Sequence, residues 1–188
     1  MAAIGEHDAL LIVDPQNDFC PGGALSVPGG DAIFATVNRL IPLFGHVLAT
    51  QDWHPPNHSS FRNQGGPWPA HCVQGTFGAE FHRSLNPECI QKVIRKGDDV
   101  AVDGYSGFAG TNLREELESR GIQRVFVCGL ATDYCVRATA TEARANGFDC
   151  TVVVDAIAAV NVRPADGENA LAEMRIKGVE VVDSSELA

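Results

Sequence analysis

No stretch of this chain is apolar for long enough to span a bilayer, and runs such as Ala9-Leu10-Leu11-Ile12-Val13 have only the length of a strand. Glu6, His7 and Asp8 interrupt the N-terminus before any apolar run begins, so no secretory leader is expected. No Cys-x-x-Cys pair occurs, which removes zinc knuckles and thioredoxin-like redox motifs from consideration. Positive charge is scarce: 14 Lys and Arg stand against 24 Asp and Glu, a formal net charge of -10. That balance argues against nucleic acid, anionic membrane surfaces and polyanionic substrates as partners. Internal repeats and linker-like segments are also missing. The expectation is a single cytoplasmic domain over residues 1–188 that acts on a small, neutral molecule. The oligomeric state stays open, a homo-oligomer included.

What is there alternates. Strands are predicted over Ala9–Val13, Val47–Thr50, Ile90–Arg95, Arg124–Cys128, Cys150–Val154 and Val179–Val182. Between them, helical spacing is found over Asp31–Leu40, Asn112–Arg120, Tyr134–Asn146 and Gly167–Lys177, with Thr111 and Thr132 as N-caps and Gly121 and Gly147 past helix ends. Strands and helices in that rhythm, joined by short turns, imply a parallel sheet covered on both faces. The 6 cysteines are read as reduced, with Cys89, Cys128 and Cys150 as inert core thiols.

The segment around Gly129-Leu130-Ala131-Thr132-Asp133-Tyr134-Cys135 has the most chemistry in it. A strand, a tight turn and a thiol in the first helical turn place Cys135 among unpaired backbone N–H groups, where ionisation should be easier than for a free cysteine. Cys135 is thus a candidate nucleophile, with a buried structural thiol as the competing reading. Asp14 and Lys96 likewise follow predicted strands, and the carboxyl edge of an open α/β sheet is where ligands bind. Asp14 is a turn-capping residue or the base that takes the Cys135 proton; Lys96 is a solvated lysine or the charge that stabilises a thiolate and a developing anion.

One segment breaks the alternation. His54–His82 has no periodicity and is far longer than an ordinary connection, so something must order it. Asp52, His54 and His71 suggest a divalent metal, Zn2+ or alternatively Fe2+ or Mn2+, against a polar loop with scattered histidines. His58 is the weakest ligand candidate. Phe19, Trp68 and Tyr105 are core aromatics or a stacking wall for a flat substrate.

These residues carry a resemblance. Val13-Asp14-Pro15-Gln16-Asn17-Asp18-Phe19, Asp52-Trp53-His54-Pro55-Pro56-Asn57-His58, Trp68-Pro69-Ala70-His71-Cys72-Val73, Lys96-Gly97, Tyr105-Ser106-Gly107-Phe108 and the Cys135 segment together resemble the nicotinamidases (pyrazinamidases) of the isochorismatase-like cysteine hydrolases, through nearly the whole chain. The resemblance implies a three-layer α/β/α sandwich, Rossmann-like, around a six-stranded parallel sheet. It implies Asp14, Lys96 and Cys135 as catalytic triad and Asp52, His54 and His71 as metal ligands. A cis peptide between Leu130 and Ala131 is also implied, with the amides of Ala131 and Cys135 as oxyanion hole. Phe19 and Trp68 match the positions that sandwich a pyridine ring, and Tyr105 completes the substrate wall.

The implied activity is hydrolysis of nicotinamide, and of pyrazinamide, to the acid and ammonia through a cysteine thioester, with a place in NAD salvage. Other readings are a related carbamoyl or amide hydrolase, a vinyl-ether hydrolase of the isochorismatase type, and a non-catalytic metal- or ligand-binding protein on an inherited fold.

Overall fold

The computed structural model describes residues 4–187; residues 1–3 and 188 of the expected domain lie outside them. Six strands form one parallel sheet: β1 (Asp8–Val13), β2 (His46–Asp52), β3 (Lys92–Lys96), β4 (Arg124–Leu130), β5 (Asp149–Ala158) and β6 (Glu180–Val182). Their spatial order is β3-β2-β1-β4-β5-β6, the dinucleotide-fold order expected of a Rossmann-like sheet. The helices are α1 (Phe34–Leu40), α2 (Leu113–Ser119), α3 (Arg137–Ala145) and α4 (Asp166–Ile176).

Alternate side chains of each central strand serve opposite layers. Leu10 and Ile12 of β1, with Val47, Ala49, Phe126 and Cys128, pack toward Phe34, Val37 and Leu40 of α1. Ala9, Leu11 and Val13, with Leu48, Val125 and Val127, pack toward Leu113 and Leu117 of α2, Ala140 and Ala143 of α3 and Met174 of α4. All of β1 is buried, which is why it reads as a continuous apolar run. The result is the α/β/α sandwich. Among the described residues no helix is long and apolar enough to cross a membrane.

Four local expectations need correction. First, Thr132 is not an N-cap. The five residues Thr132–Val136 form a π turn, and the Val136 amide reaches back to the Ala131 carbonyl at 3.1 Å. Ala131 therefore stands at the cap position, and α3 proper starts at Arg137. Second, β5 runs four residues past Val154. Asp155 looks like a strand breaker in sequence, but its carboxylate accepts the Ser184 amide at 2.8 Å and the Ser184 hydroxyl at 2.6 Å, which lets the strand continue. Third, α1 begins at Phe34, because turns occupy Asp31–Ile33. Fourth, Cys89 is exposed: Pro87 and the Asn86 side chain, which accepts the Glu88 amide, make a turn of Pro87–Cys89 before β3 begins at Lys92.

The long segment after β2 is ordered by its own contacts. His54 bridges to Val73 and Phe61 to Trp68, and the fully buried Phe61 ring lies 5.5–5.7 Å from the rings of His54, His58 and His71. The case for a metal adds ligand geometry to this packing.

Candidate active site

The chain order reverses between β1 and β4, and residues at the carboxyl ends of β1 to β4 converge beside that switch point. Asp14 follows β1 with φ 45°, Asp52 ends β2, Lys96 ends β3, and Cys135 lies in the π turn after β4, past a cis Leu130–Ala131 peptide. Asp14 and Lys96 are completely buried. The Lys96 ammonium donates to Asp52 Oδ1, to the Gly104 carbonyl and, at 3.5 Å, to Cys135 Sγ. Three donors are then committed. Asp14 Oδ2 forms an ion pair with Nζ at 2.8 Å. Its other oxygen accepts from Thr50 Oγ1 at 2.6 Å. Side-chain ligand atoms of Asp14, Asp52 and Cys135 all lie within 4.8 Å of one another. Asp14 is thus a buried carboxylate, paired with Lys96 and close to a thiol.

The electrostatics oppose one expectation. Burial pushes the Cys135 thiol up; Lys96 pulls it down, but Asp14 and Asp52 push it up again, and the result lies well above an ordinary cysteine. The sequence points to easier ionisation because it shows only the helix start. Enclosure and two facing carboxylates come from distant segments and outweigh it. Burial, partly offset by Lys96, likewise pushes Asp14 up to about 6. Asp52 is pushed up by burial too, but Lys96 and the neighbouring histidines prevail and hold it below the usual carboxylate range. Asp14 and Asp52 raise Lys96 well above the ordinary lysine range despite burial, so it carries its charge.

Beyond Lys96, the ligand atoms of Asp52, His54 and His71 also cluster within 4.8 Å. His54 Nε2 and His71 Nε2 lie 3.4 and 4.0 Å from Asp52 Oδ2. Each imidazole donates its other N–H to a carbonyl, His54 Nδ1 to Gly97 at 2.8 Å and His71 Nδ1 to Pro69 at 2.8 Å. That fixes the tautomer and turns both Nε2 lone pairs inward, the arrangement of a histidine and carboxylate metal site. The donor set fits a divalent ion. His58 is outside the cluster: its Nδ1 accepts from Ser60 and its Nε2 donates to the Val102 carbonyl at 3.2 Å.

Cys135 from the first group and Asp52 and His71 from the second border one pocket. Phe19, Trp68 and Tyr105 line it as expected, together with Leu25, Tyr134 and Val160, which the sequence reading does not single out. Trp68 Nε1 donates to Tyr105 Oη at 2.8 Å, and Tyr134 stands edge-on to Trp68 at 5.0 Å. Ala131 borders the same pocket. Tyr134 was legible as the neighbour of Cys135; Val160 was not. It is brought in by Asp133, whose carboxylate accepts the Val160 and Asn161 amides at 2.9 and 2.8 Å.

Against known families, a model of the isochorismatase domain matches residues 8–186. The chain belongs to the isochorismatase domain family. Within that family, the nicotinamidase/pyrazinamidase of Mycobacterium tuberculosis is 44% identical over 94% of this chain and 99% of its own length. PnC1 from L. infantum, solved in complex with nicotinate, is 43% identical with a TM-score of 0.94 and covers 100% of this chain and 98% of that one. The pyrazinamidase of Pyrococcus horikoshii, solved in complex with zinc, is 48% identical with a TM-score of 0.88, over 94% of this isochorismatase-family chain and 99% of that one.

Proposed function

We propose that the chain is a nicotinamidase that also accepts pyrazinamide, hydrolysing the aromatic carboxamide to the acid and ammonia through a thioester on Cys135. The observation that carries the reading is the shared pocket. Cys135, with Asp14 buried behind it, and Asp52 and His71 of the histidine–carboxylate cluster border one aromatic-walled cavity, in a chain 44% identical to a nicotinamidase/pyrazinamidase. Asp52, His54 and His71 would hold a divalent ion, zinc by likeness to the pyrazinamidase solved with zinc. When bound, it supplies a Lewis-acidic anchor for a pyridine or pyrazine nitrogen. Phe19 and Trp68 flank the ring, and Tyr105 fixes Trp68 by accepting its N–H.

The chemistry then follows from the chain's own groups. Cys135 Sγ bonds to the carboxamide carbon as its proton passes to Asp14, so a thiol of raised pKa never has to wait as a free thiolate. The carbonyl oxygen takes up the negative charge against the amides of Ala131 and Cys135, and the Lys96 charge stabilises the nearby sulfur. Asp14 returns its proton to the nitrogen as the C–N bond breaks and ammonia leaves. Water, deprotonated by Asp14, adds to the thioester; the C–S bond breaks and Cys135 regains its proton.

The test is release of acid and ammonia from a panel of nicotinamide, pyrazinamide, benzamide and an N-carbamoyl amino acid. Nicotinamide and pyrazinamide are expected to be hydrolysed, and benzamide, which lacks the ring nitrogen, at least about tenfold less efficiently. Stripping with a chelator should abolish the reaction and zinc restore it. Preference for the carbamoyl compound would overturn the assignment.

The pH profile offers a separate check. Asp14 must be ionised to take the proton, and its carboxyl is pushed up to about 6. A cation on Asp52 acts in the opposite direction, so kcat/KM is expected to fall as pH drops through about 6 or somewhat below, and to stay level above. A profile that instead climbs through the ordinary cysteine range would show the thiolate, and not the Asp14–thiol pair, to be the reactive form.

A further inference from the structure

Both halves of the site lean on one short loop, residues 97–104, which follows β3. Gly97 has φ +67°, and a Cβ there would lie 2.4 Å from His54 Cε1 and 2.6 Å from its Nδ1. A Cβ on Gly104 would lie 2.8 Å from Gly97 Cα and 3.1 Å from His54 Cε1. The two glycines therefore close the neck of the loop against each other and against the edge of the His54 ring. No larger residue allows that approach. From this neck and its neighbour, three carbonyls meet three basic side chains: Gly97 O accepts from His54 Nδ1 at 2.8 Å, Val102 O from His58 Nε2 at 3.2 Å, and Gly104 O from the Lys96 ammonium.

The His54 bond decides between two tautomers. With its proton on Nδ1, the ring offers the Nε2 lone pair beside Asp52. With the proton on Nε2, the ring becomes a hydrogen-bond donor to Asp52 Oδ2, 3.4 Å away, and cannot bind a metal there. Asp52 attracts that second form, and the Gly97 carbonyl opposes it.

We infer that the Gly97–Gly104 loop is a positioning clamp that holds the His54 tautomer and the direction of the Lys96 ammonium together, keeping the metal ligands and the triad in register. The inference rests on the metal reading given above and adds the part of the chain that presets it. Gly97 and Gly104 are positioning residues, since they touch neither substrate nor ion.

Gly104→Ala tests it, because Gly104, unlike Gly97, is not in the left-handed region and alanine strains only the neck. With the fold verified by circular dichroism, the zinc dissociation constant from chelator competition is expected to rise about 10- to 100-fold. At saturating zinc, kcat for nicotinamide should still fall roughly tenfold or more with KM near the parent value, because Lys96 is misdirected. Asp98→Ala, a change in the same loop outside the three carbonyls, should leave both readouts unchanged. An unchanged zinc constant in folded Gly104→Ala, or an equal loss in Asp98→Ala, overturns the clamp.

A second measurement needs no variant. Nitrogen-15 imidazole spectra of the zinc-stripped parent at alkaline pH should show His54 protonated on Nδ1, and protonation on Nε2 overturns the clamp even if Gly104→Ala does not fold. The failure modes are separable. A parent that binds zinc but leaves nicotinamide intact refutes the substrate assignment and not the clamp, whereas a parent that binds no zinc refutes both.

Discussion

Cys135→Ala is expected to lower nicotinamide turnover by at least about a thousandfold while zinc content stays at the parent level. The two halves of that result have different origins. The Asp52, His54 and His71 ligand atoms form their own cluster without the thiol, and removal of Sγ deletes a neighbour 3.5 Å from the Lys96 ammonium but no member of that set. Turnover, by contrast, loses the atom that the proposed mechanism acylates. Neither Asp14 nor a bound water replaces it at comparable rate, because the remaining groups bind and polarise the amide without dividing its hydrolysis into two easier steps. Steady-state ammonia release, metal analysis and a search for an acylated parent enzyme by rapid-quench mass spectrometry address each part. Turnover above a tenth of the parent rate would remove Cys135 from the nucleophile role. A loss of zinc in parallel would mean that the thiol belongs to the metal site.

The second large effect is on stability. Lys96→Met removes a fully buried cation from between two buried carboxylates, Asp14 and Asp52. Breaking such a group by deleting one sign costs about 3–5 kcal/mol, since the remaining charges stay desolvated and unpaired. Activity should vanish as well. The pH dependence has a definite sign. Asp14 is already raised to about 6 in the fold, from an ordinary value of 3.8, with Lys96 among the influences that lower it. Without Lys96 it rises further. A carboxyl raised by folding adds stability below its unfolded value and loses that contribution as pH rises through its folded value. The deficit of the variant against the parent should therefore be smallest near pH 4 and grow through pH 6 and above. Denaturant unfolding at several pH values measures it. A deficit under about 1 kcal/mol at neutral pH, or one that does not change with pH, would show that the cation is not what balances these carboxylates.

Much of this architecture can be read from local signals, and the misses share a cause. The ends of β1 to β4 are visible because apolar runs stop at polar residues, and those stops are where Asp14, Asp52, Lys96 and the Cys135 turn stand. Gly147 terminates α3 as its type suggests. Where a residue's behaviour depends on a partner far along the chain, the local signal misleads. Asp155 looks like the end of a strand until Ser184 satisfies it. Val160 has no reason to belong to a pocket until the Asp133 carboxylate captures its amide. Cys135 looks acidic at a helix start and becomes the reverse once the fold buries it, with Asp14 and Asp52 alongside. The histidine loop shows the same thing from the other side: its length and residue types suggest a metal, while the carbonyls that orient His54 and His71 have no signature in sequence.

Asp14, Lys96 and Cys135 stand at or just after the ends of the first, third and fourth strands in chain order. No contiguous fragment short of most of the sheet holds all three. During synthesis the thiol is made last, after Asp14 and Lys96, and it meets them only when β4 docks beside β1. Until that docking, Cys135 is an ordinary cysteine with no base and no cation beside it. The neighbours that would let Cys135 act on an amide are thus brought together by strand pairing alone, β4 on β1 for Asp14 and β3 through β2 for Lys96.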